Sequence, residues 1–289
     1  MNKKQELPRQ IGGVGAVMLG LGSILGTGVF VSIGIAAGVA GPNIIWAIVI
    51  AAIVAICNGL SSAQLAAVHP VSGGTYEYGY QWLSPRMGFA AGWLFLCAKS
   101  ASAATAALGL SGYLATLMGQ TGGDNEWLSY GGDVVGGITI LACITFIVLI
   151  GIRRTTRINT VIVSLTLASL TVLIVAGFWT KGDLNLSRSL VTDDGFPLWQ
   201  RNDSWYSLLS ATALLFVAYT GYGRIATMGE EVINPRKIIP RAMVTTLAIT
   251  MLVYFCVAWV GVATIGAHGL NDATGEWVAP LLRVAEPTG

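Results

Sequence analysis

A glycine-rich interruption at residues 22–28 is the segment of this chain whose residue types are best suited to chemistry. It reads GSILGTG and lies within an apolar stretch that runs from Ile11 to Val39. A helix loses roughly 1 kcal/mol for each glycine relative to alanine, and in lipid every backbone N–H and C=O group needs a hydrogen-bond partner. The segment is therefore typical of a discontinuous helix, in which the freed backbone groups at the half-helix ends bind a substrate.

A second interruption occurs in a later apolar stretch, where residues 214–224 read LLFVAYTGYGR. Polar residues and glycines again lie where the middle of the membrane is expected. Glycines can also simply let helices pack closely, as in small-xxx-small motifs. Two interruptions in corresponding positions favour discontinuous helices over close packing alone.

The composition is that of a protein whose helices cross a membrane several times. Of its 289 residues, 54% are hydrophobic and only 10% are charged, whereas soluble domains carry about 25% charged residues. The net charge of +2 gives no indication of a nucleic-acid partner. The four cysteines lie in apolar segments without metal-ligand spacing, so free thiols are expected, with no metal and no cofactor.

The elements that must position the two interruptions are membrane-spanning helices. About 20 apolar residues are needed to cross a bilayer, and that length predicts seven spans, with an eighth beginning near Val278. The predicted spans cover residues 11–39, 42–68, 86–118, 133–152, 155–180, 205–229 and 241–266.

Basic residues predict the orientation of these spans. With a cytoplasmic amino terminus most of them fall on the inner side, and the outer side receives only Lys181, Arg188, Arg201 and Arg283. Spans one and six then run in opposite directions and are five spans apart, which is what an inverted repeat produces.

Four segments resemble the motifs of the amino acid–polyamine–organocation (APC) superfamily of transporters. Residues 22–30 are similar to its span-one motif, and residues 216–222 are similar to its span-six motif. Residues 70–76 resemble its loop between spans two and three, and residues 230–241 resemble the cytoplasmic motif that follows span six. The four segments occur in the family's order and spacing over nearly the whole chain.

The resemblance implies an all-α polytopic membrane protein with a leucine-transporter-type inverted-repeat bundle, in which helices 1 and 6 are broken. Residues 1–289 would form a single transmembrane domain, with the first five-helix repeat at about 11–180 and the start of the second at about 205–289. Family members are usually longer. The chain is therefore expected to be the amino-terminal part of a permease, truncated after about seven transmembrane helices.

The resemblance also implies that an amino acid binds between the two breaks. Its carboxylate suits the positive end of a half-helix, where the backbone around Gly26, Thr27 and Gly28 would donate. Its ammonium suits exposed carbonyls, which the family presents in both breaks. The implied carbonyls are those near Ser23, Ile24, Phe216, Ala218 and Tyr219, and the residues implied to keep the second break open are Thr220 and Gly221.

Side chains around this site must select among amino acids. Phe216 resembles the family's aromatic gate over the substrate, with an ordinary packing aromatic as an equal alternative. Some relatives that handle arginine or lysine carry an acidic residue at the position of Gly223, and no Asp or Glu lies well inside spans one to seven. A neutral substrate is therefore slightly favoured, although carbonyls and aromatic faces also hold cations.

Two residues are candidates for coupling transport to a proton or a sodium ion. Lys99 is the only ionisable residue near the middle of a span, where a charge costs about 2.5–3.5 kcal/mol. It is a proton carrier, a fixed charge in place of sodium, or a donor in a structural hydrogen bond. Thr166 stands where proton-coupled relatives carry a lysine, and its hydroxyl would either ligate sodium or pack between helices.

Charged residues of the cytoplasmic motif follow span six. Glu230 and Glu231 lie close in sequence to Arg236 and Arg241. One interpretation is a salt-bridge network that holds an inward gate. The other is a solvated charged loop, since exposed pairs are each worth at most about 1 kcal/mol. The resemblance favours the gate.

The leading prediction is a secondary active transporter that moves amino acids across the plasma membrane by alternating access. The alternative, suggested by the chain's length, is a truncated relic that does not transport, or an assembly partner of such a transporter. An intramembrane enzyme is a remote third class, because no predicted span contains paired aspartates, a His-Glu-x-x-His helix or a Ser/His set.

Overall fold

A computed structural model describes residues 9–117, 126–150, 155–180, 204–275 and 281 of the chain. Within these ranges the chain is mostly helical, and the β pairings consist of two isolated bridges. Six helices there are long and apolar enough to cross a membrane. The predicted all-α polytopic membrane protein is therefore confirmed, whereas the inverted repeat stays a prediction.

Spans one and six are each built from two shorter helices, and the other spans are single helices. The helices are Gly13–Ile24 and Ile33–Ala40 for span one, Ile44–Val68 for span two, Pro85–Leu117 for span three, Glu126–Ile150 for span four, Thr155–Thr180 for span five, Ser204–Tyr219 and Gly223–Ala226 for span six, and Pro235–Gly275 for span seven. A short helix, Thr75–Trp82, joins spans two and three. Both interruptions seen in the sequence are thus breaks in the helices.

Span seven differs at its start from the predicted bounds. Its helix begins at Pro235 rather than at residue 241, and Asn234 precedes it with a φ of 48°. Asparagine tolerates this left-handed conformation, and proline suits the first helical turn because an N–H there would have no intrahelical partner. The backbone leaves helical geometry at Gly266, with a φ of 78°, which agrees with the predicted end of the span.

Span four is the helix Glu126–Ile150. Its apolar part among the residues whose side chains are described is Val134–Phe146. The eighth span, predicted to begin near Val278, lies outside the described residues.

Spans two and seven pack closely because span two presents a stripe of small residues. The stripe consists of Ala47, Ala51, Ala55, Gly59 and Ala63, which are all buried. A spacing of four puts them on one helix face, and small residues let membrane helices approach each other. A Cβ added to Gly59 would lie 2.7 Å from Cδ1 of Leu247 in span seven, so the two helices leave no free space there.

Span one lies inside the described bundle. Its first half packs on spans five and seven and on the second half of span six, while its second half packs on spans six and seven. Spans three and five are less covered, with 11% and 17% of their apolar windows buried against 44% for spans one and two. The two breaks therefore meet in the interior, and the described chain leaves much of spans three and five without neighbours.

Candidate substrate site

The break in span one lies between Ile24 and Gly28. The N–H of Gly26 turns back and donates to Ile24 O, at 2.8 Å. The chain resumes as a π-helical turn over Gly28–Ser32, and single π-helical turns are frequent at functional sites. One of the implied carboxylate donors, the Gly26 N–H, is therefore used inside the chain, which leaves the backbone around Thr27 and Gly28.

There is open space on one side of this break. Gly26 is exposed, and a Cβ added to it would meet no atom within 4 Å. The first turn of a helix has N–H groups without intrahelical partners and carries the positive end of the helix dipole. The open side of the break, from Gly26 to Thr27, thus has the electrostatic character that a carboxylate needs.

The break in span six follows the helix Ser204–Tyr219. A 3-10 turn, Thr220–Tyr222, separates that helix from Gly223–Ala226. The Thr220 hydroxyl donates to Val217 O, at 2.7 Å, and such side-chain bonds to the preceding turn compete with continuation of a helix. This contact is a physical means by which Thr220 would hold the break open.

The two breaks touch each other. A Cβ added to Gly221 would overlap Ser23 O and would lie 2.5 Å from Cγ1 of Ile24. A Cβ added to Gly28 would lie 3.2 Å from Cβ of Ala218. Glycine is required at 221 because any side chain would push the second break away from the Ser23 carbonyl. The fold thus brings together five of the implied site residues from distant parts of the chain.

A residue of span seven, Tyr254, completes the contact between the breaks. It is fully buried, and its hydroxyl donates to Ile24 O at 2.9 Å. A Cβ added to Gly28 would overlap this hydroxyl and would lie 2.8 Å from Cζ of Tyr254. The hydroxyl therefore fills the space between the last turn of the first half-helix and the first residue of the π-helical turn.

Sequence reasoning missed Tyr254, although span seven contains a usable signal. Thr246, Thr250 and Tyr254 are polar residues four apart in an apolar span, and all three are fully buried. Residues four apart share one helix face, and polar groups inside a membrane bundle need partners. The face is directed at span one, since the Thr246 hydroxyl also lies 3.5 Å from Val17 O.

Tyr219 is buried beside Tyr254, with the two ring centroids 5.0 Å apart. Among the described residues its hydroxyl has no hydrogen-bond partner. A buried hydroxyl left without a partner costs about 1–3 kcal/mol, so such a group calls for a ligand or water. The family resemblance implied only the carbonyl of Tyr219, and its hydroxyl is an additional polar group at the site.

Three other predicted residues keep their alternative interpretations. Lys99 is half-buried with Nζ 5.6 Å from the ring centroid of Phe95, and in the described part of the chain no carboxylate lies within ion-pair distance of it. Thr166 donates its hydroxyl to Ile162 O, at 3.0 Å, one turn earlier in its own helix. Phe216 is half-buried against the hydrophobic core, which fits either a gate or a packing aromatic.

Three segments meet at the end of the bundle where span one begins. Ile11 pairs with Val232 in a parallel bridge, and its N–H donates to Glu231 O at 3.0 Å. Ser72 pairs with Met228 in an antiparallel bridge. We name these five residues the gate cluster, because they join the chain's start to the motifs before span three and after span six.

The short helix Thr75–Trp82 packs beside the gate cluster. The Nε2 atom of His69 lies 3.7 Å from Glu77 Oε1, and the His69 ring lies 5.4 Å from that of Trp82. Burial raises the pKa of Tyr78 to about 12, so its hydroxyl stays neutral at physiological pH. The helix therefore contributes mostly neutral aromatic contacts at this end of the bundle.

Among the described residues, the charged side chains of the cytoplasmic motif after span six form no ion pair with one another, and their role in an inward gate stays a prediction. The ion pair found among the described residues is His69–Glu77. Glu230 Oε1 instead accepts from the Ser72 N–H, at 3.2 Å, and Glu231 contributes its backbone carbonyl. After the helix of span six ends, freed backbone groups must pair, and they pair with neighbouring segments. The residues expected in the network were Glu230, Glu231, Arg236 and Arg241.

Glu230→Gln is expected to raise the rate of thiol labelling at residue 72 about two- to fivefold. A neutral amide oxygen replaces the charged acceptor for the Ser72 N–H, so the gate cluster opens more often. The measurement is the rate at which a thiol reagent labels Ser72→Cys in an otherwise cysteine-free protein. Glu231→Gln is the matched control and should leave the rate unchanged, since Glu231 acts through its backbone. Equal rates in all backgrounds would mean that the Glu230 carboxylate does not hold the cluster.

The helical bundle and its two touching breaks define a polytopic membrane protein with two discontinuous helices. The sequence profile of the amino acid permease family matches residues 15–282. The chain therefore belongs to the amino acid permease family, and the resemblance to APC transporters is confirmed.

Several relatives are transporters by name. The chain is 36% identical over 280 residues to an uncharacterised transporter of Mycobacterium tuberculosis, a match that covers 97% of this chain and 58% of that protein. It is 27% identical over 308 residues to the branched-chain amino acid permease BcaP of Bacillus subtilis, covering 99% and 64%. It is 27% identical over 285 residues to the chloroplastic cationic amino acid transporter 7 of Arabidopsis thaliana, covering 95% and 48%. The chain thus spans less than two thirds of each of these relatives.

Proposed function

We propose that the chain carries the substrate site of an amino acid permease, which moves amino acids across the plasma membrane by alternating access. The observation that carries the proposal is the contact between the two breaks, where Gly221 lies against Ser23 O. Membership of the permease family and the names of relatives support amino acids as the substrate class.

Recognition of the amino acid would divide between two sides of the break in span one. The open side of the break offers the helix dipole and the backbone N–H groups around Thr27 and Gly28 to the carboxylate. The carbonyls of Ser23 and Ile24 offer acceptors to the ammonium. Because backbone groups carry this recognition, it selects amino acids as a class more strongly than any one side chain.

A neutral amino acid is the favoured substrate. Gly223, where some relatives that handle cationic amino acids carry an acid, has no side chain, and a Cβ there would meet no atom within 4 Å. The relatives include both a branched-chain permease and a cationic amino acid transporter, so their names do not decide between the two. The missing carboxylate at residue 223 is what favours the neutral substrate.

The gate cluster supports alternating access. It lies at the end of the bundle where span one begins, the end that the basic residues predict to be cytoplasmic. The side of the break at Gly26 is exposed. A transport cycle would then alternate between opening the gate cluster and covering the open side at Gly26.

Binding and uptake by purified protein in lipid vesicles test the proposal. A neutral amino acid should stabilise the protein against heat, because a ligand that binds only the folded state raises its stability. Vesicles that contain the protein should take up the same amino acid, and arginine and lysine should stabilise the protein less. Failure of every standard amino acid in both assays would contradict the proposal, and stabilisation without uptake would restrict it to binding.

Lys99 is the proposed coupling residue, ahead of Thr166, whose hydroxyl is bonded within its own helix. Lys99→Ala is expected to abolish concentrative uptake and to spare exchange, because the intramembrane charge is lost. Uptake against a pH gradient and counterflow exchange are measured in the same vesicles. Lys99→Arg keeps a charge that cannot be released, so it separates a fixed charge from a proton carrier. Accumulation by Lys99→Ala that still depends on pH would contradict the assignment.

An assembly partner of a transporter is the second candidate function. The described residues cover spans three and five only thinly, and membrane helices associate by packing against further helices. The relatives contain sequence beyond the part that this chain matches, which would supply such helices in a complete permease. Uptake by vesicles that contain this chain alone would argue against the need for a partner.

A further inference from the structure

The hydroxyl of Tyr254 is bonded to a carbonyl that the substrate's ammonium is expected to use. It donates to Ile24 O at 2.9 Å within a fully buried contact. The other acceptor implied in span one, Ser23 O, is covered by Gly221. The protein itself therefore occupies Ile24 O and packs a glycine against Ser23 O.

We propose that the Tyr254 hydroxyl stands in for the substrate's ammonium: it holds Ile24 O in the empty site, and the bound amino acid displaces it. The inference rests on the proposed function and deepens it. Tyr254 is a positioning residue, because its hydrogen bond stabilises the empty site and thereby lowers the affinity for the substrate.

Displacement follows from the acceptor capacity of Ile24 O. A backbone carbonyl oxygen has two lone pairs, and this one accepts from the Tyr254 hydroxyl and from the N–H of Gly26, at 2.9 and 2.8 Å. The Gly26 contact is local to the break and stays with it, whereas the hydroxyl belongs to a side chain from another helix. A third donor must therefore replace the hydroxyl.

The space around the hydroxyl leads to the same conclusion. A Cβ on Gly28 would overlap the hydroxyl, so the hydroxyl fills the gap between the two half-helix ends. Ala218 closes this gap from span six, with its Cβ 3.2 Å from the same position. An ammonium group that enters the gap to reach Ile24 O has to occupy the place of the hydroxyl.

Displacement leaves the Tyr254 hydroxyl without this bond. The neighbouring Tyr219 hydroxyl is also buried and lacks a partner among the described residues, and the two ring centroids lie 5.0 Å apart. Substrate binding would therefore break one internal hydrogen bond and add a charge-assisted bond to Ile24 O.

Tyr254→Phe tests the proposal. The variant frees a lone pair of Ile24 O, so the amino acid that stabilises the wild type should bind about fivefold more tightly, the value of one hydrogen bond that is no longer displaced. Tyr113→Phe is the matched control, because the Tyr113 hydroxyl also donates to a span-one carbonyl, Phe30 O, at 3.0 Å and outside the gap. Its affinity for the amino acid should equal that of the wild type. Affinities are measured by thermal-shift titration in lipid nanodiscs.

The outcomes separate this inference from the proposed function. Unchanged affinity in Tyr254→Phe would mean that the hydroxyl is not displaced, and weaker affinity would mean that it binds the substrate directly; either overturns the inference alone. Tyr254→Met, which also removes the hydroxyl and fills the site with an apolar side chain, is the second variant if Tyr254→Phe is unstable. The same gain in affinity is expected. If the wild type binds no amino acid, the proposed function fails and this inference fails with it.

Discussion

Gly221→Ala is expected to weaken amino acid binding and uptake strongly. The new Cβ would overlap Ser23 O and crowd Cγ1 of Ile24, and the Ser23 oxygen is backbone that cannot swing aside as a side-chain end can. Overpacking of this kind costs about 1–3 kcal/mol, which corresponds to about a fivefold to 150-fold change in an equilibrium constant. The measurements are uptake into vesicles and the free energy of unfolding.

The helix propensity of alanine makes the direction of this prediction informative. Alanine favours a helix over glycine by about 1 kcal/mol, so without the clash the substitution would stabilise the protein. Gly13→Ala is the control, since it lies in the first helical turn of span one and its Cβ would meet no atom within 4 Å. It should retain full uptake. Full uptake by Gly221→Ala would mean that the two breaks need not touch.

Gly28→Ala is expected to be about equally damaging on the other side of the same contact. Its Cβ would overlap the Tyr254 hydroxyl and would lie 2.8 Å from Cζ of that residue. Tyr254 must then leave Ile24 O, so a buried hydrogen bond is lost together with the packing. We expect the free energy of unfolding to fall by about 2–4 kcal/mol.

A double variant distinguishes the clash with the Tyr254 hydroxyl from the clashes with other atoms. Tyr254→Phe combined with Gly28→Ala should recover part of the lost stability, with a coupling of about 0.5–3 kcal/mol, because the overlapping atom is gone. Tyr254→Phe should not rescue Gly221→Ala, whose clash is with Ser23 and Ile24. Equal rescue of both variants, or of neither, would contradict this geometry.

The two breaks could be predicted from the sequence because their causes are local. Glycines and polar residues within an apolar stretch weaken a helix wherever they stand, and the helices end at Ile24 and Tyr219, inside or beside the predicted segments. The spans could be predicted for the same reason, since length and hydropathy are properties of each segment by itself. Family membership follows from these local motifs and is confirmed over residues 15–282.

The contacts made by the cytoplasmic motif after span six could not be predicted in the same way. Opposite charges close in sequence suggested ion pairs, but exposed ion pairs are weak because water solvates the separate charged side chains almost equally well. Backbone groups that leave a helix have a stronger need for partners. They find these partners in Ile11 and Ser72, which are distant in sequence and therefore invisible to a local pattern.

By itself, the sequence determined the membrane class of this protein, the approximate bounds of most of its spans and the positions of its two breaks, because each depends on residues that are neighbours in the chain. Only the tertiary structure decided that Gly221 lies against Ser23 O and that Tyr254, 230 residues away, bonds to Ile24 O. Those contacts depend on which helix faces meet in the packed bundle. Helix packing is a property of the whole chain and is set by the fit of surfaces that sequence neighbours do not share.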